Sequence, residues 1–226
     1  VDIIATVRTS NDTPRVKTLV ETFAKSTSIS KSGGSVSLGK SDVYKLKSVY
    51  ELDAGDTDKG TWASGTTYAG YDVVVESGIA YRAVSSNTNK QPSTNSSIWT
   101  ALTDNSQYYV LNDGQTKSHY DHGSISRIST LSIDTNIIAV FDYFTHTGTG
   151  HISSSSYPVA YNDIPSFVDA KGNKIKLRDA IDFRPRRVDD STEYASFRLP
   201  KFSNNTICSV EYYLQKIDRV VMTREG

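Results

Sequence analysis

The stretch TNIIAVFDYFTHT, residues 135–147, decides the fold class. From Ile137 to Phe141 it is apolar on both faces, where a strand with one wet face would alternate. That is the pattern of a central strand, covered on both sides. Working outward, VKTLVETFAKSTS (16–28) carries the Thr and Val content of a second strand, although its propensity also allows a short helix. SDVYKLKSVYEL (41–52) alternates. It places Tyr44, Leu46, Tyr50 and Leu52 on one face, with Val43, Lys45, Lys47 and Glu51 largely on the other. TICSVEYYLQKIDRVVMTR (206–224) reads as a strand pair or one long bent strand, with Cys208 an ordinary small buried thiol.

Between these runs stand explicit turns. NDG (112–114) and AKGNK (170–174) are tight-turn chemistry, and SKSGGSVSLG and HTGTGHISSSSYP are flexible, polar loops. Helix signals are scarce. The expectation is an all-β protein: a β-sandwich-like host domain with a small inserted β module. The host is read as 1–58 with 104–226 and the module as 59–103, because the polar joints DAGDTDKG and TDNSQ flank the segment.

The bulk properties limit function. With 226 residues, 25 basic and 25 acidic, the chain has no net charge to draw it to nucleic acid or to an anionic membrane. No apolar run reaches membrane-spanning length. One cysteine excludes an internal disulfide framework and a Cys-based zinc finger. The chain starts at Val1 and its only methionine is Met222, so it reads as an excised or processed piece of a longer polypeptide.

Both tryptophans, Trp62 and Trp99, fall within the module. A domain this small without disulfides needs aromatics to build a core. Trp62, Tyr68, Tyr81 and Trp99 suit that role, and they are also the rings that a flat ligand would stack upon. YDVVVESGIAYRAV is a hairpin: Val73 and Val75 share a face, residues 76–78 turn, and Tyr81 and Ala83 return.

The order Trp62, Tyr68, Gly70, Asp72, Val74, Gly78, Tyr81-Arg82-Ala83, Pro92 and Trp99 resembles carbohydrate-binding module family 5/12. These are small β modules of chitinases, with related copies on phage tail proteins. The resemblance implies carbohydrate contact through Tyr71, Trp62, Trp99, Tyr68 and Tyr81, with Tyr71 the best exposed ring. The sequence departs from the pattern twice. Tyr71 separates Gly70 from Asp72, and Ser85-Ser86 stand where chitin binders carry exposed aromatics.

The flanks resemble an uncharacterised domain of virion structural proteins from T-even-like phages and cyanophages. The carrying stretches are TPRVKTLV, SLGKSDVYKLKSVY, YYVLNDGQTKSHYDHGSIS, FDYFTHTGTGHISSSSYP, YNDIPSF, LRDAIDFRPRR and YYLQKIDRVVMTREG. That resemblance implies a tail, baseplate or tail-fibre component in the virion. It also implies a homo-oligomer with other virion tail proteins as partners, a host cell-surface polysaccharide as ligand of the module, no cofactor and no enzymatic activity.

Two constellations have a sharper alternative. SHYDHG and HTGTGH bring His119, Asp121, His122, His146 and His151 near in sequence, as a zinc or iron site would, but the spacing matches no known ligand pattern. In RDAIDFRPRR, Asp179 and Asp182 suggest a glycosidase acid pair, and with it a secreted glycan-degrading enzyme. The same residues also fit Arg–carboxylate forks around a proline turn, or arginines gripping a neighbouring subunit. A purely architectural module that binds no glycan is the remaining alternative.

Overall fold

The computed structural model describes residues 14–30, 32–128, 134–169 and 171–197. Cys208 and the stretch 206–224 lie outside them. In chain order the strands are β1 (Val16–Ile29), β2 (Ser35–Ser41), β3 (Val43–Glu51), β4 (Thr57–Thr61), β5 (Thr67–Tyr68), β6 (Asp72–Glu76) and β7 (Ile79–Ala83). There follow β8 (Asn87–Thr88), β9 (Trp99–Ala101), β10 (Tyr109–Asn112), β11 (His122–Arg127), β12 (Thr135–Thr147), β13 (Ser166–Val168) and β14 (Lys174–Lys176). Among the described residues the helical pieces are short 3-10 turns, and the fold is all-β.

The quoted stretch is β12, and it is central. It pairs antiparallel with β1 on one side and β3 on the other. Its odd residues Ile137, Ala139, Phe141 and Tyr143 face a second sheet of order β10-β11-β2, and together with Leu38, Val49 and Ile125 they form the sandwich core. Its even residues point the other way. Ile138 and Val140 are covered by Val73, Val75 and Ala80 of the module, while Phe144 is covered by Ile152, Tyr157, Ile164, Phe167 and Leu177. Two covered faces explain the continuous apolar run. The strand reading of residues 16–28 also holds, as β1.

The face assignment of residues 43–52 needs correction. The β12–β3 register shifts twice, once across Val140/Phe141 and once across Asp142/Tyr143. Each shift places an extra residue in β3 and reverses its alternation. Val43, Leu46 and Val49 therefore enter the sandwich core, whereas Tyr50 and Leu52 meet the module and Tyr44 packs on Phe144.

A third irregularity seats the module. β1 bulges between Val20 and Phe23, with Thr22 at φ 53°, and the Thr22 amide donates to Asp142 Oδ1 at 2.8 Å. The β6–β7 turn, Ser77-Gly78, has positive φ at both residues, as a two-residue hairpin requires. Gly78 sits against this bulge: a Cβ there would lie 3.1 Å from Thr22 Cγ2. Its carbonyl accepts from Ser48 Oγ at 3.3 Å and Tyr50 Oη at 3.2 Å. The hairpin tip is thus pinned to the host sheet by packing and by two hydroxyls.

Candidate functional site

The module has its own four-stranded sheet, of order β4-β6-β7-β9, and an aromatic core. Trp99 and Tyr68, each 2% exposed, meet edge to face at 5.4 Å. The indole Nε1–H donates to the Lys90 carbonyl at 2.7 Å, and Tyr68 Oη accepts from the Ala63 amide at 2.9 Å. Their polar tips are satisfied inside, so neither ring offers a face to a sugar. Both are corrected from candidate stacking platforms to core residues. Trp62 and Tyr81 are half-buried against the same cluster.

Tyr71 is the exception among the five named rings. It is 63% exposed and has φ 68°, a left-handed conformation that a bulky aromatic rarely adopts. Two backbone bonds hold it there: its amide donates to the Ala83 carbonyl at 2.9 Å, and its carbonyl accepts from the Thr57 amide at 3.0 Å. The inserted residue that separates Gly70 from Asp72 therefore has a fixed backbone and an outward-facing ring. Ala83 leads into Val84, Ser85 and Ser86, all exposed. That surface beside Tyr71 is small and polar, apart from the Val84 side chain.

A second, buried constellation lies beneath Phe144. Lys17 and His146 are register partners across β1 and β12, and both reach Asp42 at the β2–β3 corner. Lys17 Nζ lies 2.7 Å from Asp42 Oδ2, with side-chain exposures of 0% and 1%. His146 Nε2 donates to the same oxygen at 2.6 Å, and Gln115 Nε2 donates to Oδ1 at 3.2 Å. Burial pushes the Asp42 carboxyl up, but Lys17 and His146 outweigh it and hold it at about 2. Burial also lowers His146 and Lys17, with Asp42 opposing in both cases. The Lys17 ammonium sits 4.5 Å from the Tyr120 ring centre and 4.2 Å from that of Tyr157.

Tyr120 links this cluster to Asp182, donating to Oδ2. Arg184 grips Asp182 through Nε and Nη2, at 3.0 Å and 2.7 Å, and stacks over Tyr120 at 4.3 Å. Its Nη1 donates to the Thr116 carbonyl at 2.6 Å and Nη2 also donates to Gln115 Oε1 at 2.9 Å. RDAIDFRPRR is thus an Arg–carboxylate fork around a proline turn. Asp179 has a partner of its own, accepting from Tyr161 Oη at 2.7 Å, while Asp182 is held by Arg184 and Tyr120. Arg186 and Arg187 pair likewise within the chain, with Asp189 at 3.3 Å and with Asp121 at 2.7 Å.

The histidines do not converge either. His146 serves Asp42, His122 faces the Val188 carbonyl at 2.8 Å, and His119 lies 3.8 Å from Asp121. Among the described residues no group of three or more His, Cys, Asp or Glu could hold a metal ion.

Compared with known proteins, the chain matches no family model, no curated protein and no solved structure.

The geometry of the Arg184 fork fixes a pH response. Burial raises the Asp182 carboxyl, but the Arg184 fork and Tyr120 outweigh this and leave it below the ordinary value. A depressed folded value contributes stability above the unfolded value, about pH 4, and the contribution is lost as pH falls through the folded value. The urea midpoint is expected to drop below about pH 4, and to drop less steeply in Asp182→Asn, in denaturation curves taken from pH 7 to pH 2.

Proposed function

We propose that the chain is a structural piece of a phage tail, baseplate or tail fibre, and that its module presents Tyr71 to a glycan of the host surface. The observation that carries this reading is Tyr71 itself: an exposed aromatic ring in a left-handed conformation, fixed by backbone bonds on both sides. Strained backbone persists where its surroundings over-determine it, and such positions cluster at binding sites. A rigid ring loses little freedom on stacking against the apolar face of a sugar. One ring gives weak affinity. Homo-oligomeric copies on a particle convert weak contacts into avidity.

The host part suits a supporting role. Six of its buried or half-buried polar groups pair with one another, in the Lys17–Asp42–His146 and Tyr120–Asp182–Arg184 clusters. On this reading the chain is not an enzyme and its partners are other virion tail proteins. An architectural module is the second reading, and one observation favours it: Val73, Val75 and Ala80 are spent on the host sheet, so the module also stiffens its host.

Because of that shared core, the test uses the whole chain, displayed in many copies on a glycan array. Binding to one class of surface polysaccharide is expected, with Tyr71→Ala weakening it at least about tenfold, the equivalent of ~1.4 kcal/mol per contact. Binding that survives Tyr71→Ala unchanged would contradict the role of the ring. Silence across the array by the folded chain would support the architectural reading.

A further inference from the structure

We propose that Lys17 and Asp42 condense into an intramolecular isopeptide bond, Nζ to Cγ, that staples β1 to the β2–β3 corner. The amine and the carboxyl are already in contact at 2.7 Å, and both side chains are sealed from solvent. Both backbones are held by β12. Lys17 is in register with His146 in the β1–β12 ladder, and Asp42, at φ 59°, has its carbonyl held by the Phe144 amide at 3.0 Å. Holding two reactants in this way replaces a bimolecular encounter by a local step.

The surroundings favour the neutral product over the ion pair. A buried ammonium and carboxylate each carry a large desolvation penalty, and joining them removes both charges. Tyr120, Tyr157 and Phe144 surround the amine with their rings, and the Tyr157 hydroxyl accepts from Nζ at 3.0 Å. Burial acts to lower Lys17, toward the free amine that is the nucleophile.

The step balances without any co-reactant. Of the three protons on Nζ, one passes to the Asp42 carboxylate across the contact, one leaves with the departing oxygen and one stays on the amide nitrogen. The Nζ–Cγ bond forms, the Cγ–Oδ2 bond breaks, and one water is released. His146 Nε2, bonded to Oδ2, supports the departing oxygen. Gln115 Nε2, bonded to Oδ1, supports the oxygen on which negative charge develops during attack.

The test is the intact mass of the whole chain under denaturing conditions, on material first shown to unfold cooperatively in urea. The expected result is a chain lighter than its sequence by one water, with a protease digest yielding one branched peptide that joins the Lys17 and Asp42 segments. Lys17→Arg keeps a cation beside Asp42 but lacks the nucleophile, and is expected at its full sequence mass. A wild-type chain at full sequence mass overturns the proposal and leaves an ion pair only. Loss of water in both wild type and Lys17→Arg also overturns it, by placing the dehydration elsewhere.

Discussion

Replacing Asp182 with Ala is expected to destabilise the chain by ~3–5 kcal/mol, the cost of leaving a buried charge without its partner. Asp182 is 6% exposed and holds three groups at once. Arg184 forks onto it, Tyr120 donates to it, and its backbone exchanges two bonds with Ile152, at 2.7 Å and 2.8 Å. Truncation leaves the Arg184 guanidinium over Tyr120 and Phe167 without its carboxylate. It also leaves the Tyr120 hydroxyl, fully buried, without its acceptor. Urea denaturation with a shift in midpoint and an unchanged slope would report this loss. A change below about 1 kcal/mol, the range of exposed pairs, would mean that the fork is solvated in solution.

Trp99→Ala carries the second large effect, ~3–5 kcal/mol for a buried aromatic truncated to Ala. The module has few other large side chains in its core: Tyr68, Val74 and Ala83 are buried with Trp99, while Trp62, Tyr81 and Ile98 pack from the edge. The cavity would also orphan the Lys90 carbonyl that the indole satisfies. Since Val73, Val75 and Ala80 cover Tyr50, Ile138 and Val140, loosening the module uncovers the even face of β12. One cooperative transition at lower urea, followed by tryptophan emission and far-ultraviolet dichroism together, is the expected outcome. Two separated transitions would show instead that the module melts alone and that its contact with the host contributes little.

The sequence exposes these features unevenly, for physical reasons. A strand covered on both faces writes its position into a continuous apolar run, so β12 is visible from Ile137 to Phe141 alone. The β6–β7 hairpin is equally visible, because the left-handed turn at Ser77-Gly78 favours glycine and the flanking valines are spent on two different cores. β3 is misread because alternation assumes an unbroken register, and its pairing with β12 shifts twice.

The buried cluster is not legible at all as a unit. Lys17 and Asp42 are 25 residues apart, Asp42 and His146 are 104 apart, and Tyr120 and Asp182 are 62 apart. No local pattern encodes such a meeting. A lysine inside a strand otherwise reads as a solvated face, and only the β1–β12 register turns Lys17 inward. RDAIDFRPRR gave a better hint, since its fork is closed within three residues, Asp182 to Arg184. Of the five rings singled out in the module, spacing could not separate wall from platform. Burial does: Trp99 and Tyr68 are structural, and Tyr71 faces solvent.

The proposed place of this chain in a virion tail is tested by immunogold labelling of phage particles purified from a lysate that contains the chain, with antibodies raised against it. Gold on the tail or baseplate of intact particles, at several sites per particle, is the expected result. Particles that carry no label, with the chain found only in the soluble fraction of the lysate, would contradict it.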